Sequence, residues 1–192
     1  MRRIAAAAAV LTLAALGGCV SIPAVPAGPV AMGDNHAVVL SRPWSDVSAL
    51  VPQRSKKVRV LTIDGPLLNR LYLAQGIAAG EGLLKPVSKE QPVPVFHADM
   101  APTELVELVS NSIAAMGYHR VETAKLRPAK FGAADGLRFD IKAQTDGGLE
   151  MMGTAEVATT DGKLYLVLYL APAEHYFAAN LPDVESIMES TT

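Results

Sequence analysis

Four histidines, His36, His97, His119 and His175, are the side chains of this sequence best suited to hold a metal ion or to move a proton. Two have a carboxylate close by in the chain: His97 with Asp99, and His175 with Glu174. Imidazole and carboxylate together suit Zn2+ when a fold draws them to one point. No HExxH, CxxC or closely spaced histidine pair sets that geometry, so the pattern predicts loop histidines and no metal site. Ser41, Ser110, Ser112 and Ser186 lie outside any GxSxG turn and have no indicated base. Asp183 and Glu185 stand near an expected helix start, where the helix dipole explains them better than glycosidase chemistry does. There is no P-loop and no GxGxxG. The expectation is a protein with no catalytic residue and no cofactor, and not an enzyme.

The only cysteine is Cys19. It follows a short positive start, Met1 to Arg3, and a run of 13 uncharged residues from Ile4 to Leu16. This is the anatomy of an export signal, with Gly17 and Gly18 letting a peptidase reach the backbone. A spanning helix needs about 20 apolar residues, so the run is too short to remain as an anchor. Leu16-Gly17-Gly18-Cys19 resembles the lipobox of bacterial lipoproteins. The resemblance implies diacylglyceryl transfer to the Cys19 sulfur, cleavage before Cys19, and acylation of the new amino terminus, palmitate being the usual kind of chain. A single acyl chain holds a protein to a bilayer only reversibly, whereas two or three hold it firmly. The competing reading is a plain secretory signal with an unpaired thiol, an unusual combination. Val20 in place of Asp favours, by resemblance to the enteric sorting rule, the outer membrane and its periplasmic side.

Half of the 192 residues are apolar and the formal charge is -2, the composition of an ordinary globular domain. Removing Arg2 and Arg3 with the signal leaves 15 basic residues against 19 acidic, a balance that predicts no nucleic-acid partner. The one basic cluster, "PQRSKKVR" at 52–59, reads as a solvated loop or edge guard, with contact to anionic lipid headgroups as the alternative.

These features divide the chain into a signal peptide at 1–18, a lipidated cysteine and proline-rich tether at 19–35, and a single domain at 36–192. Pro23, Pro26 and Pro29 mark the tether, since proline favours extended backbone. Within the domain, "HAVVL" and "KKVRVLTIDG" read as strands, with Asp64-Gly65 as a turn and "PLLNRLYLAQGI" as the returning strand, its mixed pattern also permitting a helix. A short strand is also expected at Pro94 to Phe96. In "APTELVELVSNSIAAMGY", Leu105, Val109, Ile113 and Met116 recur at helical spacing, with Pro102 in the first turn and Gly117 at the stop.

The last third predicts an antiparallel meander. Leu137, Phe139, Ile141 and Ala143 alternate with Arg138, Asp140, Lys142 and Gln144, and the turns contain Asp146-Gly147-Gly148 and Asp161-Gly162. The third strand, "KLYLVLYLA", places four leucines on one face and Tyr165, Val167, Tyr169 and Ala171 on the other. Such a strand needs cover on both sides, and a helix over "LPDVESIMES", with Pro182 near its first turn, is one cover.

This order, with "GKLYLVLYLAP" running into "HYFAANLPDVESIMES", resembles the latter half of PsbP-like domains over roughly residues 101–190. The resemblance implies an α+β fold, an antiparallel β-sheet flanked by helices, and carries over no catalytic residue. The expected function is that of a lipid-anchored envelope protein that binds another envelope protein. The alternative is a carrier or sensor holding a small hydrophobic ligand between sheet and helix against Tyr165 and Tyr169.

Overall fold

Alternating apolar residues and glycine-bearing turns generate a sheet from most of the chain. The computed structural model describes residues 22–88 and 90–192. In order these form β1 (Ala24–Val25), β2 (Gly28–Ala31), β3 (Ala37–Leu40), β4 (Trp44–Asp46), a 3-10 turn at Ser48–Leu50, β5 (Val58–Thr62) and β6 (Arg70–Ala78). They continue with α1 (Pro102–Ala115), β7 (His119–Phe131), β8 (Ala134–Gln144), β9 (Glu150–Thr160), β10 (Lys163–Pro172) and α2 (Tyr176–Glu189). Eight strands make one sheet in the order β1-β4-β5-β6-β10-β9-β8-β7, while β2 and β3 pair separately. Every pairing is antiparallel, so the α+β class with a helix-flanked antiparallel sheet holds.

The β10 strand lies in the middle and separates two cores. Leu164, Leu166, Leu168 and Leu170 enter the first, where α1 supplies Leu105, Leu108, Val109 and Ile113. Tyr165, Val167, Tyr169 and Ala171 enter the second, against Phe177, Val184, Ile187 and Met188 of α2. Both faces of the strand are therefore dry, as its uniformly apolar sequence requires. The Asp161-Gly162 turn between β9 and β10 has φ of +50° and +70°, the left-handed pair that a two-residue hairpin demands.

Local signals set α1. Pro102 occupies the first turn, and the Glu104 carboxylate accepts the Ala101 N–H at 2.6 Å. Gly117, at φ +93°, ends it. The edge strand β7 carries Pro128 and two register shifts, features that discourage pairing with another chain.

Four expectations need correction. Residues 24–32, expected in the tether, belong to the folded domain: β1 pairs with β4, β2 pairs with β3, and Val25, Val30 and Met32 are buried in the second core. The apolar residues among and just after the prolines decide this, because Val25, Val30 and Met32 cover the tyrosine face of β10. The second helix begins at Tyr176 and holds Pro182 in its interior, since Phe177 and Asn180 are also buried against the sheet. Asp64-Gly65 opens a longer connection whose shape depends on Asn69: its Oδ1 accepts the Ile63 N–H and the Thr62 hydroxyl at 2.9 and 2.8 Å. No strand forms at Pro94 to Phe96, where Pro94 has no N–H to give a ladder. The signal peptide and Cys19 lie outside the described residues.

Candidate functional site

The proposed tyrosine groove is a sealed interior. Tyr165 and Tyr169 are 1% and 0% exposed. The Tyr165 ring meets His36 edge-on with centroids 4.4 Å apart, and its hydroxyl donates to Asp34 Oδ2 at 2.7 Å. Tyr169 stacks on Phe177 at 5.9 Å and donates to the Tyr176 carbonyl at 3.1 Å. Burial pushes both phenols up to about 12, aided at Tyr165 by the Asp34 carboxylate. Tyr165 and Tyr169, the residues expected to meet a ligand, are packed in the second core under α2 and the strands before residue 41.

Candidate metal and nucleophile residues stay apart. Among the described residues no three His, Cys, Asp or Glu side chains come together. His97 follows Phe96 of the first core, whereas His175 precedes Tyr176 at the second, so the two pairs flank opposite faces of the sheet. His119 pairs with Asp146, and His36 Nδ1 lies 2.8 Å from the Thr192 carbonyl oxygen. Ser112 is buried and donates to the Leu108 carbonyl at 2.7 Å, while Ser110 donates to Glu107 at 3.1 Å. The Ser41 hydroxyl donates to Asp183, which also pairs with Arg42 at 3.1 Å. That arrangement ties the chain before β4 to α2 and places no imidazole beside the serine.

The basic cluster at 52–59 is largely consumed within the fold. Arg54 donates to the carbonyls of Ser48, Ser55 and Val58 at 2.8, 3.0 and 2.9 Å. Arg59 pairs with Asp46 at 2.7 Å, and Lys57 with Glu81 at 2.6 Å. Lys57 first, through its hydrogen bond, and then the Ala78 N–H hold the Glu81 carboxyl below its ordinary range. Of this cluster's charges, Lys56 alone is exposed with no carboxylate partner among the described residues.

A cleft of about 680 Å³ opens beside these residues. Its frame is the connection from β6 to α1, clamped where the Gly80 N–H donates to the Phe96 carbonyl and the Phe96 N–H to the Glu81 carbonyl, both at 2.8 Å. The same connection runs along residues 53–55: Ser55 N–H donates to Leu83 at 2.9 Å, and Lys85 N–H to Gln53 at 2.7 Å. Leu84, Pro86, Pro92, Val93 and Val95 give the cleft apolar walls, and Ser55, Glu81, Lys85 and Ser88 give it a few polar points. Gly82 is essential to this shape, because a Cβ there would stand 2.4 Å from the Pro94 carbonyl oxygen. A mainly aliphatic cleft with few polar groups can hold an apolar side chain or ligand. Sequence reasoning passed over it. Its available signal was the run "QPVPVF", in which valines too exposed for a core are stiffened by prolines.

A second polar feature also escaped the sequence. Glu156 of β9 is 0% exposed, and its Oε2 accepts from Arg138 Nε and Nη2 at 3.0 and 2.7 Å. Oε1 has no hydrogen-bond partner among the described residues. Burial raises the Glu156 pKa, against the opposing effect of Arg138 and the Thr191 hydroxyl. A shallow recess of about 330 Å³ adjoins the pair, bordered by Arg127, Lys130 and Glu189.

No protein family and no characterised protein matches the chain by sequence. Solved structures do. The solution structure of the cyanobacterial PsbP protein CyanoP from Synechocystis sp. PCC 6803 aligns over 92% of this chain and 98% of its own, with 14% identity and a TM-score of 0.54. The fold is PsbP-like. LpqN, involved in cell envelope biogenesis of Mycobacterium tuberculosis, aligns over 89% of this chain and 90% of its own, with 10% identity and a TM-score of 0.40. At 92% of this chain, the likeness extends well beyond residues 101–190. No helix among the described residues is long and apolar enough to cross a membrane.

Proposed function

We propose that this chain is a lipid-anchored, non-catalytic protein of the cell envelope, held by acyl chains on Cys19, whose PsbP-like domain binds another envelope protein. The observation that carries the reading is Leu16-Gly17-Gly18-Cys19 after 13 uncharged residues, placed immediately before the first strand of the domain. Val20 supports the outer membrane, periplasmic side, as the destination. The closed sheet faces support binding at the surface, and the apolar cleft beside Leu84, Val93 and Val95 is the contact point the geometry favours. The same cleft, unlike the tyrosine face, has the volume for a small hydrophobic ligand, which is the second reading.

Two measurements test this. The mass of the amino-terminal peptide from native membranes reports cleavage and acylation at Cys19, with Cys19→Ala as control. A photo-crosslinker at Val93 then captures the cleft's occupant in living cells. An unmodified amino terminus retaining residues 1–18 overturns the anchoring. Crosslinks no different from those at the remote Leu67 overturn the cleft as contact site.

A further inference from the structure

The folded domain starts too close to Cys19 to stand away from a bilayer. The Pro23 carbonyl already accepts the Asp46 N–H at 2.8 Å, and Ala24 lies opposite Ser45. Four residue steps separate Cys19 from Pro23, so even a fully extended chain spans at most about 14 Å. An anchor this short brings one particular corner of the domain to the lipid.

The pairings identify that corner. The β1 strand is antiparallel to β4 and β4 to β5, so β1 and β5 run in the same direction. Following the chain backwards from Ala24 to Ile22 therefore heads toward the end of the sheet where β5 begins, at Lys56 and Lys57. Continuing the β1 register places Ile22 beside Val47, whose carbonyl accepts the Leu50 N–H at 2.9 Å. Ile22 and Leu50 are each 46% exposed. The segment at 53–55 and its partner at 83–85 then present Lys56 and Lys85, both exposed and unpaired with carboxylate among the described residues. Apolar side chains with unpaired lysines suit the headgroup region of an anionic bilayer.

We infer that the corner formed by Ile22, Leu50, Lys56 and Lys85 rests on anionic phospholipid, fixing the domain's orientation on the membrane. This rests on the acylation of Cys19 proposed above. Leu67, 82% exposed, lies in the connection after β5, beyond the end of that strand remote from Lys56.

The test uses the mature acylated protein in vesicles of phosphatidylethanolamine and phosphatidylglycerol. Because Cys19 is the only native cysteine, Leu50→Cys, Gln53→Cys and Leu67→Cys each provide one free thiol for a fluorophore. Quenching by lipids labelled near the headgroup is expected to be several-fold greater at positions 50 and 53 than at 67. It should fall when Lys56→Glu and Lys85→Glu are added, or when salt shortens electrostatic reach. Acylated, vesicle-bound protein with equal quenching at all three positions overturns the orientation and leaves the anchor intact. Protection of 50 and 53 in native membranes but not in vesicles assigns the corner to a protein and likewise overturns it. An amino-terminal mass without acyl groups overturns both proposals.

Discussion

Arg138 and Glu156 stand directly opposite each other on β8 and β9, and both guanidinium bonds go to the same carboxylate oxygen. The other oxygen is buried with no hydrogen bond among the described residues, the Thr191 hydroxyl being the nearby polar group, so the pair depends heavily on Arg138. Removing one member of a buried pair typically costs about 3–5 kcal/mol. Arg138→Met is expected to lose stability of that order near neutral pH. Burial already raises the Glu156 pKa above its unfolded value, so the folded chain binds the proton more readily. The favourable protonated contribution is complete below the unfolded pKa and is lost as pH rises through the folded one. The Arg138→Met defect should therefore shrink as pH falls from 8 toward 5, which urea unfolding at a series of pH values would detect. A defect independent of pH would show that Glu156 is not the group left uncompensated.

A chain starting at His36 tests whether residues 24–32 are domain or tether. Truncation removes Val25, Val30 and Met32 from the second core. At about 1.5–3 kcal/mol for each buried side chain, the loss rivals the whole stability of an ordinary domain. Loss of the cooperative thermal transition is the expected outcome, against a sharp transition for the chain starting at residue 20. Equal melting of the two would return this segment to the tether.

Tyr169 separates a core role from a ligand role. Tyr169→Phe sacrifices the hydroxyl's bond to the Tyr176 carbonyl and its contact with Asn180, the bond being a net effect of about 0.5–1.5 kcal/mol. Tyr169→Ala empties a fully buried site and should cost about 3–5 kcal/mol. Chemical denaturation of both variants gives the difference. A fully stable Tyr169→Ala protein would mean that the face is not packed as described.

Gly153 is constrained by close approach. A Cβ there would lie 2.6 Å from both the Tyr169 carbonyl oxygen and the Leu170 side chain. Gly153→Ala should destabilise by about 1–3 kcal/mol, because backbone must move to make room. Gly148→Ala, a turn position with open space but φ +80°, isolates conformational strain from crowding. Comparable melting shifts in the two would count against the crowding at Gly153.

The meander and α1 were legible because each is written in a few neighbouring residues. Leu137 to Gln144 alternates with period two, Asp161-Gly162 supplies a left-handed turn, and Leu105, Val109 and Ile113 share a helical face. The site features were not legible for the converse reason. Glu156 looks like a surface carboxylate in "GTAEVATT", and only its register opposite Arg138 and its cover by the end of α2 make it buried. Arg54, Lys57 and Arg59 look like a basic patch until the carbonyls and carboxylates that occupy them are seen.

Sequence alone determined the anchoring reading, the sheet-forming segments, and the demand of β10 for cover on both faces, since each depends on residue type and short-range period. Tertiary structure decided what supplies that cover. Residues 24–32 join α2 over Tyr165 and Tyr169 because apolar area, wherever it lies in the chain, is more stable buried than exposed, and no local pattern states which distant segment will bury it.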